Sequence, residues 1–310
     1  MKKIINPIPT SILEKEINKD TFVRKTNYCN HDIYIVDYHN HPNATMEIGR
    51  LRELSFRNAG GGTGKSYDLD EFDTREEAFY KQLIVWDPEE KKIIGGYRFM
   101  LGSDVISSSK YNNTATNNLF DFSTDFYSKT LGLTIELGRS FVQPEYQPSS
   151  GNRKSIFSLD NLWDGLGALV VDHPEIKYFF GKVTMYLDFN KKGRDLILGF
   201  MDHFFKDKDQ WISAKQPLEL HHDISYFIEQ IKELDYKESY KILTKKLKEL
   251  NCSLPPLIAA YMNLSSSMKT FGTAMNSKFG DVEETGILIS IDDIYPEKKD
   301  RHIKTYKKVK

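Results

Sequence analysis

The order of apolar and polar positions divides the chain into recurring short segments. Residues 32–37 (DIYIVD) read as a short strand. Over 44–59, Met46, Ile48, Leu51, Leu54 and Phe56 recur at three-four spacing, which predicts a helix ending near Gly60. Residues 79–87 and 92–101 read as a strand pair, with Asp87-Pro88-Glu89-Glu90 as the turn. The Ser/Asn/Thr-rich stretch 102–118 reads as loop, and 133–142 as a strand. A helix over 158–172, a strand over 178–186, helices over 192–205 and 224–250, and a strand over 285–291 complete the set. Alternating strands and helices predict a mixed α/β sheet, and the helical stretch of about 191–250 interrupts it as an insertion.

The 310 residues allow one large domain or two small ones. We expect an N-terminal extension (1–24), a domain over 25–297 and a basic tail (298–310). Lys+Arg number 43 against 44 Asp+Glu, so there is no general electrostatic handle for nucleic acid. Two cysteines, Cys29 and Cys252, suggest a reducing compartment. With no apolar span and no signal-peptide core, a cytoplasmic location is expected. The tail holds seven Lys/Arg and one acid, which suits a solvated segment or a dock for an anionic surface.

Residues 59–66 (AGGGTGKS) fit a relaxed phosphate-loop pattern. Such a loop needs a strand before it, yet the preceding segment reads helical, and Asp68, Asp70, Glu71 and Asp73 follow closely. A flexible glycine loop near a substrate cleft is the expectation. His39-x-His41 and His221-His222-Asp223 lack completing ligands, so no metal is expected.

Three charged clusters stand out: Arg52-Glu53-x-x-x-Arg57, Asp68-x-Asp70-x-x-Asp73 and Glu136-x-x-Arg139. Glu136 and Arg139 lie in an otherwise apolar strand, and Arg98 in its predicted neighbour. Charges there are costly unless paired or used. They form either one buried ion-pair network or a site. Residues three apart in a regular strand face opposite sides, and a bulge at Gly138 would change that.

These residues carry a resemblance. Glu136-Leu-Gly-Arg139-Ser-Phe-Val-x-Pro144-Glu145-Tyr146, Leu162-Trp163-Asp164-Gly165, the Leu254-Pro255-Pro256 segment and Phe279-Gly280-Asp281-Val282 resemble the ornithine-lipid type N-acyltransferases. That "hemolysin-like" family belongs to the GNAT-like superfamily. Arg52-x-x-x-Phe56 and Asp70-x-Phe72-Asp73 are similar to motifs of the acyl-homoserine-lactone synthases, which share the fold. The resemblance covers roughly 48–294 without the insertion, and the glycine-acylating members are nearest in style.

The resemblance implies a GNAT-like mixed central sheet flanked by helices, with the helical insertion. It implies transfer of a (3-hydroxy) fatty acyl group from acyl carrier protein, or from coenzyme A, to the α-amine of glycine or ornithine. The product would be a lyso-aminolipid, with no permanent cofactor. Its partners would be acyl carrier protein, the amino acid and, at the periphery, the inner face of the membrane. A second, O-acylating domain would need His-x4-Asp, which no histidine here satisfies. Glu136 is the implied general base or ammonium orienter, its carboxyl expected to be raised by an apolar strand. Arg139 would grip the amino-acid carboxylate or hold Glu136 ionised. Arg52, Phe56, Asp70, Asp73 and Arg98 would order the acceptor side, and Phe141, Val142, Gln147 and Gly151 the acyl-donor side. The 147–152 string departs from the superfamily's phosphopantetheine loop, which favours carrier protein over coenzyme A. Phe120, Phe122, Phe126, Phe141, Trp163, Phe179 and Phe180 are core or acyl-channel candidates. A cysteine nucleophile is not needed. The stripe Ile224, Phe227, Ile228, Ile231, Leu234 predicts a helix packed on the domain or lying on a membrane. The competing readings are a signal synthase using an S-adenosylmethionine-derived amine and a non-enzymatic membrane-active hemolysin.

Overall fold

The computed structural model describes residues 1–147, 151 and 156–308. Its strands are β1 (Phe22–Lys25), β2 (Asp32–Val36), β3 (Lys81–Asp87), β4 (Lys92–Leu101), β5 (Phe120–Phe122), β6 (Thr134–Val142), β7 (Tyr178–Met185), β8 (Ile212–Ala214), β9 (Lys269–Asn276) and β10 (Val282–Ser290). Eight form one sheet in the order β1-β2-β3-β4-β6-β7-β10-β9, and β5 pairs with β8 apart from it. Every neighbour in the large sheet is antiparallel except β6 and β7. The helices are α1 (Thr10–Glu16), α2 (Pro42–Asn58), α3 (Glu71–Thr74), α4 (Gly102–Ser107), α5 (Ser158–Asp172), α6 (Lys191–Phe205), α7 (Ser225–Ile231), α8 (Tyr236–Glu249), α9 (Pro256–Met262) and α10 (Pro296–His302).

The period-2 pattern of the strands divides the core between two faces. Leu83, Val85, Tyr97, Phe99, Ile135 and Leu137 face α5 and the α6–α8 helices. Ile84, Trp86, Ile93 and Phe141 face α1 and α2, while Tyr80, Met100 and Phe180 pack with Phe120 and Phe126 on the same side. β6 and β7 pair in parallel only from Thr134↔Tyr178 to Leu137↔Gly181, although each strand runs four or five residues further. Beyond that point they diverge. Gly181 sits at the divergence because a Cβ there would lie 2.4 Å from Leu137 O.

Several expectations change in detail. The 102–118 stretch holds α4 and a 3-10 turn, Ala115–Asn118, capped by Thr114. The 224–250 helix is two helices, because Asp235 caps α8 by accepting from Glu238 N. Ile224, Phe227 and Ile231 are buried in the core, so most of their stripe is spent on packing against the domain. The region between β7 and β9 also contains β8, so it is not wholly helical. The basic tail is not simply solvated. α10 lies on α5, where Gly167 permits close approach: a Cβ there would stand 2.1 Å from His302 O. His302 Nδ1 meets Asp164 Oδ1 at 2.8 Å, and Arg301 donates to Asp160 at 2.6 Å. Among the described residues no helix is long and apolar enough to cross a membrane.

Candidate active site

Where β6 and β7 part, a cavity of about 730 Å³ opens. Its apolar wall includes Tyr97, Phe141, Leu159, Phe179, Leu257 and Ile287, and its polar end holds Arg98, Glu136, Arg139, Lys182 and Glu284. Phe56, Val142 and Gln147 also line it. Beyond Leu137 the β7-facing edge of β6 has no strand partner among the described residues and borders this space.

A bulge brings two site residues to one side. The β4–β6 register steps from Gly96↔Phe141 to Arg98↔Gly138, setting Arg139 and Ser140 of β6 against Tyr97 of β4. Arg139 takes the left-handed conformation, φ 50°. That strain costs about 1–3 kcal/mol and is opposed by what the side chain meets. The guanidinium lies 3.9 Å over the Phe279 ring, and its Nε is 2.8 Å from Asp68 Oδ2.

Arg139 belongs to a network with Arg52 and Arg98, facing Asp68, Asp70 and Asp73. Arg52 Nε donates to Asp68 Oδ2 at 3.0 Å and Arg52 Nη1 reaches Asp73 Oδ1 at 3.5 Å. Arg98 Nη1 donates to Asp70 at 2.9 Å and to Asp73 at 3.1 Å. Gln82 Nε2 donates to Asp73 Oδ1 at 2.9 Å. Asp70 and Asp73 also cap α3 reciprocally. Burial pushes the Asp68 carboxyl up, but Arg139, Arg52 and Arg98 outweigh it and hold it below the usual carboxylate range. Asp70 is likewise held down, Arg98 and Arg139 overcoming its burial. The three guanidinium charges are thus matched by three carboxylates on this side of the sheet.

Glu136 stands outside that network. Its Oε1 accepts from Tyr80 Oη at 2.7 Å, Thr116 Oγ1 at 2.8 Å and Thr116 N at 3.1 Å. Its Oε2 is buried and has no hydrogen-bond partner among the described residues. Burial, then the negative charge of Glu136, raises the Tyr80 hydroxyl well above its ordinary value, so Tyr80 stays protonated and donates. Arg98 lies 4.5 Å over the Tyr80 ring and links the two groups.

Of the acyl-donor candidates, Gln147 donates from Nε2 to Val142 O at 2.8 Å, closing the end of β6. Gly151 is exposed with φ 74° and does not line the cavity. Pro148, Ser149, Ser150 and Asn152 of the same string lie outside the described residues. Phe141, Phe179 and Phe180 line the cavity, whereas Phe120 and Phe126 are core. Phe122 packs on Phe126 and Phe180, and Trp163 on Tyr261. Neither Cys29 nor Cys252 lines it. His39 Nε2 bonds Arg75 O, His41 lies beside Asp37, and His221 and His222 donate backbone N–H to Asp195. Tyr80, Thr116, Lys182 and Glu284 escaped the sequence reading.

The phosphate-loop look-alike has an internal ligand. Thr63 N and Oγ1 and Gly64 N donate to the buried Glu53 carboxylate at 3.0, 2.7 and 2.8 Å. Arg57 Nε joins them at 2.7 Å. The loop is therefore anchored rather than flexible. It backs onto Tyr186 and Phe279, which line the cavity.

Residues 51–154 match the family model for an acetyltransferase (GNAT) domain. The chain is 49% identical over 307 residues to a glycine N(alpha)-acyltransferase of Bacteroides thetaiotaomicron, covering 99% of this chain and 91% of that protein. It is 48% identical over 309 residues to one from Phocaeicola vulgatus, covering 99% and 94%. Among solved structures, a CoA-dependent acyl-homoserine lactone synthase aligns at 10% identity and TM-score 0.39, covering 87% of this chain and 86% of that one.

Proposed function

The chain belongs to the glycine N(alpha)-acyltransferase family and is an acyltransferase with a GNAT-like fold; on that premise we propose that it moves a long, 3-hydroxy-type fatty acyl group from acyl carrier protein to the amine of glycine. The observation that carries this reading is Glu136 Oε2, an unpartnered buried carboxylate oxygen at the polar end of a largely apolar cavity. An acyl chain fits the apolar wall and an ammonium fits the carboxylate.

The chemistry follows from the residues. Acyl transfer to nitrogen requires a neutral amine, so Glu136 takes a proton from the ammonium. Tyr80 and Thr116 hold the other oxygen and aim the free one. The amine nitrogen attacks the thioester carbonyl, the C–N bond forms, and the C–S bond breaks. Sulfur leaves as a thiol, taking the second proton of the attacking nitrogen. The unpaired β6 edge beyond Leu137 offers backbone N–H groups to the oxyanion. The arginine–aspartate network, Arg139 included, holds the polar wall around the acceptor, with Phe56 beneath it. Phe141, Val142 and Gln147 border the donor, and Gly151 lies in the loop beyond. A phosphopantetheine thioester is then a co-substrate, and the departure of 147–152 from the coenzyme A pattern favours a carrier-protein donor. The product is an N-acylglycine, a lyso-aminolipid made in the cytoplasm and released to the inner face of the membrane.

The test is incubation of purified protein with 3-hydroxypalmitoyl thioesters of acyl carrier protein and of coenzyme A, each with a panel of amino acids. N-acylglycine formed preferentially from the carrier-protein donor is expected. Failure to acylate any amine overturns the reading, and preference for coenzyme A overturns its donor half.

A further inference from the structure

Among the described residues that line the cavity, Glu136 and Lys182 carry opposite charges, face the same side of the sheet and lack close partners for part of their hydrogen-bonding capacity. Glu136 Oε2 has none. Lys182 lies two residues along β7 from Phe180, the register partner of Glu136, and so shares its face of the sheet. The Lys182 side chain is 14% exposed, yet among the described residues its ammonium has two polar contacts, both long: 3.5 Å to Thr116 Oγ1 and 3.6 Å to Glu284 Oε2. Glu284 Oε2 is already bonded by Asn276 Nδ2 at 3.1 Å. An ammonium has three donors, and removing them from water with only distant acceptors is costly.

The Thr116 hydroxyl stands between these groups, 2.8 Å from Glu136 Oε1. A free acceptor position on a carboxylate and free donor positions on an ammonium thus face one space, a single hydroxyl apart. An α-amino acid carries the complementary pair on adjacent carbons. We infer that Lys182 binds the carboxylate of the amino-acid acceptor while Glu136 Oε2 receives its ammonium. This rests on the acyltransfer reading and adds the group that selects an amino acid over a simple amine. The arginines are less suited, because their carboxylates stand closer, at 3.0 Å for Arg52, 2.9 Å for Arg98 and 2.8 Å for Arg139, against 3.6 Å from Lys182 to Glu284. Bound there, a zwitterion gives Glu136 Oε2 a donor and Lys182 an acceptor closer than Thr116 and Glu284, and leaves the net charge of the site unchanged.

The test compares glycine with glycinamide, which keeps the amine and lacks the carboxylate charge. Wild type, Lys182→Met and Lys182→Arg are assayed with the same acyl donor at one pH, and melting temperatures check folding. Lys182→Met is expected to lower kcat/KM for glycine about 10- to 100-fold, mainly through KM, and to change glycinamide less than about twofold. Lys182→Arg is expected to recover most of the preference, since the charge is kept. An equal loss for both acceptors would assign Lys182 to the thioester side or to folding, and an unchanged glycine KM would remove it from binding; either result overturns the inference. Should wild type acylate no amine, calorimetric titration with glycine still decides: binding that weakens in Lys182→Met supports the subsite, and wild-type protein that takes up no glycine overturns it.

Discussion

Glu136 and Arg139 stand three residues apart on β6 and line the same cavity, because the strand accommodates one extra residue between Arg98 and Gly96 of its neighbour. Without that bulge one of them would face the α5 side. The two then divide the work. Arg139 is bound to Asp68, while Glu136 keeps a free oxygen.

Glu136→Gln preserves shape and removes the proton acceptor. The expected result is a fall in kcat of about 10²- to 10⁴-fold with a near-wild-type melting temperature. Steady-state kinetics and a thermal melt check both halves. Activity close to wild type would take Glu136 out of proton transfer.

Asp68 and Asp70 titrate below the usual carboxylate range because arginines surround them. Their charged forms therefore favour the folded state at and above about pH 4, and this contribution is lost as the pH falls through the depressed folded values. Asp68→Asn leaves Arg52 and Arg139 short of a counter-charge, at an expected cost of about 3–5 kcal/mol at pH 7. Denaturant melts across pH should show the gap to wild type narrowing below about pH 4.

The C-terminal helix is held as a structural part. Asp164 accepts from Asn27 N and Asn27 Nδ2 and contacts His302. Asp164→Ala strands these groups and should cost about 1–3 kcal/mol, read by urea unfolding. Removing 296–308 should lower the melting temperature as well, whereas a tail that merely floats would leave it unchanged.

Nucleotides should not bind the 59–66 loop. Millimolar ATP or GTP with magnesium is expected to leave the melting temperature within error. A saturable upward shift would contradict an anion cradle filled by Glu53.

Much of this was legible in the chain because two periods dominate it. Short apolar runs marked β2, β3, β4 and β7, alternation marked β6, and helical periodicity marked α2, α5 and α6. β1 was missed because it is a four-residue edge strand with an exposed Phe22. β9 contains Gly272 at φ 82°, which breaks alternation. β10 begins at Val282, earlier than its apolar run, because Glu283 and Glu284 are buried strand residues paired with Arg194 and Lys182. Arg98, Glu136 and Arg139 were visible because charge inside an apolar strand is conspicuous. Tyr80, Thr116 and Lys182 were not. Tyr is an ordinary strand residue, Thr116 lies in a polar stretch, and a single Lys on β7 reads as solvent-facing. Tyr80 precedes β3, Thr116 lies in the 3-10 turn and Lys182 on β7, and it is the tertiary fold that brings them to Glu136, which no local window encodes.

The carboxylate inside the glycine loop has a consequence for competition. Glu53 is tethered to the cradle it fills, so it acts as an intramolecular ligand whose local concentration never falls on dilution. A free phosphate would have to displace that tethered anion and leave a buried carboxylate without its donors. The loop's binding capacity is thus used once, in folding, and it backs Tyr186 and Phe279, which line the cavity.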